Sequence, residues 1–172
     1  MLRGCRSALC TPLSLIFRES LQSSTLPLAW KHSLAVPIFK KGSRLEPLNY
    51  RPISLTSVPC KILEKIICAE LYKYLDDGGV LLDDQFGFRP GRSTEDQLLL
   101  MYDDVTRWVD SGSVVVAVLF DFSKAFDVVS HCVLLEKLSS LGVRDPLLGW
   151  IEHFLRGRIM QVSLGNSRSS PK

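Results

Sequence analysis

The sequence predicts an α+β fold, because strands and helices follow one another without a regular β-α-β rhythm. Two short strand-like segments near residue 40 are separated by a turn-rich loop, which is typical of an antiparallel hairpin. Several longer segments carry apolar residues at helical spacing. The chain has 172 residues, of which 46% are hydrophobic and 23% charged, so it is long and apolar enough for one good core or two small ones.

Amphipathic helices are predicted wherever apolar residues recur at helical spacing. Start signals precede three of these segments: Thr11 before a proline, Ser93 with its capping-box partner Asp96, and Asp145 before another proline. The predicted helices span residues 11–23, 59–75, 93–110, 131–141 and 146–155.

The segments 33–41 (SLAVPIFKK) and 50–56 (YRPISLT) are predicted to form the two strands of the hairpin. Between them, GSRLEPLN is rich in turn-forming residues, as an exposed tip requires. Pro37 and Pro52 cannot donate a hydrogen bond to a central ladder, so both strands are expected at an edge of the sheet. A last strand is predicted at 158–164.

An apolar run from Val114 to Phe120 ends in the carboxylate of Asp121. A short, valine-rich, uniformly apolar run predicts a strand at 114–122 that is buried on both faces. An ionised carboxylate at the end of such a strand is costly to desolvate, and a bound divalent cation such as Mg²⁺ compensates that cost. Asp121 is therefore a candidate ligand for metal and phosphate. The alternative is an aspartate that caps the following helix.

The charge of the chain is small but unevenly distributed. The formal net charge is +3, and basic residues are concentrated between Lys31 and Arg51. A local basic patch of this kind favours contact with a polyanion, although a solvated loop is the alternative. For the basic C-terminal segment the solvated loop is the preferred interpretation.

The cysteines and the absence of targeting signals predict the compartment. The 5 cysteines include no Cys-x-x-Cys pair, so free thiols, mostly packed in the core, are expected and a zinc site is not. We recognise no signal peptide and no apolar segment of about 20 residues. The protein is predicted to be cytoplasmic or nuclear, neither secreted nor bound to a membrane.

Three segments occur in an order that identifies a family. They are AVPIFKKGSRLEPLNYRPIS at Ala35–Ser54, QFGFRPGRST at Gln85–Thr94, and LFDFSKAFDVV around Asp121. In this order and spacing they resemble the reverse transcriptases of non-LTR (LINE-type, jockey-like) retrotransposons and, less closely, those of group II introns. The resemblance extends from about Pro12 to the region of Leu164.

The resemblance implies a right-hand polymerase fold, of which the chain holds the fingers and the first part of the palm. Residues 1–30 would be a helical lead-in, 31–112 the fingers and 113–172 a partial palm. The implied function is RNA-directed DNA synthesis for a retroelement, with an RNA template, a DNA primer, deoxynucleoside triphosphates (dNTPs) and Mg²⁺. The oligomeric state is not indicated.

The same resemblance assigns roles around Asp121. Asp121 matches the first catalytic aspartate, which bridges two Mg²⁺ ions, and the backbone carbonyl of Phe122 is a further metal ligand. Phe126 matches the aromatic position beneath the nucleotide sugar, although plain packing would also explain a phenylalanine there. Asp127 is interpreted as structural.

The hairpin and the glycine-rich loop supply the other candidate sites. Lys40, Lys41 and Arg51 lie near the hairpin tip and could converge on a triphosphate, and the resemblance makes Arg51 and one lysine its contacts. A solvated turn is the alternative. In the loop, four residues are implied to contact the nucleic-acid backbone: Arg89, Gly91, Arg92 and Ser93. Phe86 and Phe88 could stack or could simply anchor the loop, and anchoring is the preferred interpretation.

Some of the family's motifs are not found in this sequence. We find no PQGS-type segment and no Tyr-Ala-Asp-Asp-type hairpin, which carries the remaining catalytic carboxylates. One carboxylate cannot hold two metals, so the chain alone is expected not to polymerise. The alternative hypothesis is a non-catalytic retroelement remnant that acts at most as a weak nucleic-acid-binding module.

Overall fold

Six helices and four strands occur in residues 4–122 and 125–172, the part of the chain that the computed structural model describes. In chain order they are α1 (Arg6–Gln22), α2 (Leu28–Lys31), β1 (His32–Phe39), β2 (Tyr50–Leu55), α3 (Val58–Asp77), α4 (Thr94–Asp110), α5 (His131–Ser140), α6 (Leu147–Leu155), β3 (Ile159–Leu164) and β4 (Ser167–Arg168), with a short 3₁₀ turn at Pro47–Asn49. The predicted α+β mixture of helices and strands is confirmed. The chain divides into two units, residues 1–67 with 126–172 and residues 68–125.

The core of the first unit lies among its helices. Its buried members are Leu26, Trp30, Cys60, Leu63, Ile67 and Trp150. The indole N–H of Trp150 donates to Ser20 Oγ at 3.0 Å, and Ser20 Oγ donates to the carbonyl of Thr25 at 2.5 Å. The polar atoms that enter this core are therefore hydrogen-bonded, as buried polar groups must be.

The four strands form one sheet in the order β2-β1-β3-β4. β1 pairs antiparallel with β2 and parallel with β3, which confirms the predicted hairpin and the predicted last strand. The prediction that both hairpin strands lie at an edge is correct for β2 but wrong for β1. Pro37 is tolerated in β1 because pairing with β3 covers only His32–Ala35, so no ladder bond is required of it.

The start of α1 differs from the prediction. Thr11 does not cap the helix, which begins at Arg6 and includes Pro12. Leu9, Leu13 and Phe17 recur at helical spacing and line one apolar cavity of about 360 Å³ against α3. This apolar stripe begins on the N-terminal side of Pro12, which explains why the helix also begins before the proline.

The predicted strand at 114–122 does not form. In this segment the structure has no strand, and no strand of the described residues pairs with it. Val114 is 92% exposed and Phe120 is 89% exposed, so the prediction of burial on both faces is also wrong. An apolar run of this kind becomes a buried strand only where neighbouring strands pair with it, because a strand needs partners for its N–H and C=O groups.

The cysteines are free thiols, as predicted. Only Cys60 is in the core, however, and Cys5, Cys10, Cys68 and Cys132 are exposed. Burial, reinforced by the hydrogen bond that the thiol donates to Glu64, raises the pKa of Cys60 to about 12. Cys60 therefore stays a protonated packing residue. No described helix has the length and apolarity needed to cross a bilayer.

We expect the stability of the fold to decrease in acid through His153. Its Nδ1 accepts a hydrogen bond from the backbone N–H of Leu26 at 2.9 Å, so protonation there removes the bond. Burial and the nearby charge of Lys31 lower the pKa of His153 from its ordinary value of 6.5. The unfolded chain therefore binds a proton at His153 more readily than the folded chain does. As a result, the free energy of unfolding falls as pH drops below 6.5.

Urea unfolding at one pH above 6.5 and at another below it measures this change in the free energy of unfolding. His153→Gln should reduce the pH dependence, whereas His131→Gln, at an exposed histidine, should leave it unchanged. Equal pH dependence in the wild type and in His153→Gln would rule out this origin.

Candidate nucleotide and nucleic-acid interface

The strand register places Lys40 and Arg51 on the same face of the hairpin. Arg51 lies directly opposite Ile38, and the Lys40 N–H donates to the carbonyl of Asn49 at 2.8 Å. Residues two apart on a strand share a face, and so do directly opposite residues. Lys40 and Arg51 therefore lie diagonally to one another at the tip end, and Lys41 follows in the turn.

These three basic residues are available to a ligand. All three side chains are exposed, and within 4–122 and 125–172 none of them takes part in an ion pair. Cations gathered without acidic partners create a positive potential at the tip, which attracts a polyanion. The structure thus brings together the residues that the sequence analysis assigned to the triphosphate.

Arg44, the other arginine of the tip, lies on the opposite face. Its guanidinium is 5.2 Å from the centroid of the Phe39 ring, and that ring packs edge-on against Tyr50 at 5.5 Å. The Tyr50 hydroxyl donates to the carbonyl of Arg44 at 2.9 Å. Arg44 is therefore held away from the face that carries Lys40 and Arg51.

In the second unit, Arg89 is engaged within the loop. Its guanidinium donates to the carbonyl of Leu82 at 2.7 Å and pairs with the carboxylate of Asp76 on α3, and only 10% of the side chain is exposed. The hydroxyl of Tyr72 donates to the carbonyl of Phe88. These contacts fasten the loop to the end of α3, a role that the sequence analysis missed because Asp76 gives no local signal.

Arg92 and Ser93 are also bonded inside this unit. The Arg92 guanidinium lies 5.0 Å from the centroid of Phe86, which is buried, and pairs with Asp83 at 3.1 Å. Phe86 thus anchors the loop as expected, whereas Phe88 is 79% exposed. Gly91 has a φ of +74°, a conformation that favours glycine.

The N-terminus of α4 carries the predicted capping box. Ser93 Oγ accepts from the Asp96 N–H at 3.1 Å, and Asp96 Oδ2 accepts from the Ser93 N–H at 3.1 Å. Glu95 adds a second carboxylate to the first turn. The donors that an anion would use here are already shared with acidic side chains, so the positive end of the helix is partly neutralised.

Asp121 and Phe122 follow the exposed apolar run and are exposed themselves. Phe126 is 79% exposed and lies in a turn of the first unit. The motif residues Ser123 and Lys124 lie outside the described residues. Within the described ranges, no three side chains of His, Cys, Asp or Glu come close enough together to hold a metal ion.

Comparison with known proteins agrees with the family resemblance of these segments. Residues 38–171 match the profile of the reverse transcriptase (RNA-dependent DNA polymerase) family. The chain is 34% identical over 161 residues to a probable RNA-directed DNA polymerase from transposon BS of Drosophila melanogaster, which covers 93% of the chain. It is 32% identical, with 93% of the chain covered, to the RNA-directed DNA polymerase from the mobile element jockey of the same species.

A third relative is the probable RNA-directed DNA polymerase from transposon X-element, also from Drosophila melanogaster, at 29% identity over 92% of the chain. The chain spans only 17% to 18% of the length of these three relatives. The family match nevertheless covers most of the chain and includes the hairpin tip, the glycine-rich loop and Asp121. The chain therefore belongs to the reverse transcriptase family, and the resemblance to the polymerases of non-LTR, jockey-like retrotransposons is confirmed.

Proposed function

We propose that this chain is the part of a retrotransposon RNA-directed DNA polymerase that receives the incoming dNTP, and that its hairpin tip contacts the triphosphate. The observation that carries the proposal is the pairing register that sets Lys40 and Arg51 on one face, exposed and without acidic partners among the described residues. In this proposal, residues 31–112 belong to the fingers and 113–172 to the palm.

The chemistry of the two side chains suits a triphosphate. Arg51 presents a planar fork that can bind two phosphate oxygens at once, and Lys40 adds a compact charge on the same face. Lys41 reaches the same region from the turn. Phosphoryl transfer is catalysed mainly by positioning and by neutralising charge, which is what such a cluster supplies.

The glycine-rich loop is proposed to contact the backbone of the RNA template or the DNA primer. Arg92 is the more accessible of its two arginines, since 30% of its side chain is exposed against 10% for Arg89. We assign the direct phosphate contact to Arg92, with Gly91 allowing close approach and Ser93 at the adjoining helix terminus. Arg89 would act by holding the loop in place.

Asp121 and the backbone carbonyl of Phe122 are proposed as ligands of Mg²⁺. Carboxylate and carbonyl oxygens are the donors that this ion prefers, so the donor chemistry fits, but the described residues supply only part of a complete set. The bound ion would polarise phosphate oxygens and activate the primer hydroxyl. Phe126 is proposed to lie against the nucleotide sugar.

Replacing Arg51 tests the dNTP site. Arg51→Ala should weaken binding of thymidine triphosphate in Mg²⁺ buffer by about tenfold or more, because hydrogen bonds to charged groups contribute on the order of 1.5–3 kcal/mol. Arg44→Ala removes the same charge from the opposite face and should change affinity much less. Isothermal titration calorimetry of the 172-residue chain measures both. Equal losses of affinity in the two variants would mean that the tip attracts the nucleotide only through nonspecific positive charge.

A further inference from the structure

Asn49 joins the two ends of the hairpin tip. Its side-chain Nδ2 donates to the carbonyl of Ser43 at 2.9 Å, across the turn. Its backbone N–H donates to the carbonyl of Glu46 at 3.0 Å, and its own carbonyl accepts from the N–H of Lys40 at 2.8 Å. The bonds to Ser43 and Lys40 tie the segment that carries the two lysines to the start of the strand that carries Arg51, whereas the bond to Glu46 closes the short 3₁₀ turn between them.

Gly42 makes room for this arrangement. A Cβ at Gly42 would lie 2.7 Å from Asn49 Nδ2, closer than atoms approach without moving. The φ of Gly42 is +90°, a conformation that side chains rarely adopt. The glycine thus allows the Asn49 amide to pack directly against the turn that begins immediately after Lys41.

We propose that Asn49 is a positioning residue for the dNTP site, an inference that rests on the proposed role of the hairpin tip. By register, Asn49 lies opposite Lys40 and on the same face as Arg51. Its bond to Ser43 fixes the position of the turn that follows the lysines relative to the start of β2. The spacing between the lysines and Arg51 is thereby set before a ligand arrives.

The physical effect is preorganisation. Without the Asn49 amide, the segment between Lys41 and Tyr50 would sample more conformations, and binding a triphosphate would have to restrict them. The contact of Tyr50 with Arg44 restrains only the opposite face of the tip. The Asn49 amide, by contrast, ties the turn that follows the two lysines.

The test measures affinity for thymidine triphosphate in Mg²⁺ buffer and urea unfolding in parallel on the full 172-residue chain. Asn49→Ala should weaken binding roughly fivefold because the tip loses its preorganisation, and it should lower the unfolding midpoint only slightly because half-buried Asn49 gives up a single side-chain hydrogen bond. Leu48→Ala is the matched control, since Leu48 is 79% exposed in the same turn, and it should bind as the wild type does.

A double-mutant cycle separates positioning from local structure. If Asn49 acts through Arg51, then Arg51→Ala should cost less affinity in the Asn49→Ala background than in the wild type. Additive losses, or an Asn49→Ala chain that binds like Leu48→Ala, would overturn the positioning role while leaving the dNTP site intact. A wild-type chain that binds no thymidine triphosphate would overturn the proposed function itself, and the inference with it.

Discussion

Primer extension should fall about a thousandfold or more when Asp121 is replaced with asparagine, because stabilisation by a metal ion is worth several kcal/mol in the transition state. The measurement needs a polypeptide in which this chain replaces the matched region of the jockey polymerase and whose unsubstituted form extends a primer. Asn keeps the size of the side chain but removes the charge that a metal ligand needs. Template binding should stay within about twofold of the parent, since phosphate contacts carry that affinity.

Asp127→Asn is the matched control for this experiment. Asp127 lies in the same motif and is exposed, but we interpret it as structural. The Asp127 variant should retain most of the extension activity. If Asp121→Asn kept its activity, or if it lost template binding together with activity, Asp121 would be architectural and the proposed metal role would fail.

Trp150→Ala is expected to lower the free energy of unfolding by about 3–5 kcal/mol, the usual cost of deleting a buried aromatic side chain. Trp150 is only 2% exposed, and its ring stacks on Phe154 with the centroids 5.4 Å apart. The substitution also removes the N–H that donates to the buried Ser20 hydroxyl. Urea unfolding followed by circular dichroism measures the change.

Trp108→Ala is the control for tryptophan content, since Trp108 is 52% exposed on α4. Its effect should stay near 0.5 kcal/mol, as is usual at the surface. Similar losses for Trp150→Ala and Trp108→Ala would mean that the helical core does not hold the first unit together.

The elements that the sequence predicted well are those whose signals are local. The capping box at Ser93 and Asp96 needs only residues three apart, and the helix and its cap are both present. The hairpin likewise depends on two adjacent strands and the turn between them. The shared face of Lys40 and Arg51 follows from that register and from the bond between Lys40 and Asn49.

The elements that the sequence did not predict depend on partners distant in the chain. The run at 114–122 has the composition of a buried strand, but composition cannot supply the neighbouring strands that would bury it. Arg89 had the signature of a phosphate contact, yet the path of the loop turns it towards Asp76, 13 residues earlier. Its assignment to nucleic acid stays a prediction.

We propose that the face of the hairpin tip carrying Lys40 and Arg51 holds the triphosphate of an incoming nucleotide. Backbone amide shifts in the ¹⁵N-labelled chain, recorded while thymidine triphosphate is added in Mg²⁺ buffer, locate the bound nucleotide residue by residue. We predict saturable backbone shifts that are largest at residues 40–41 and 49–51 and smaller at Arg44, whose side chain lies on the opposite face. Shifts that saturate elsewhere while residues 40–41 and 49–51 remain unchanged would rule out this binding face.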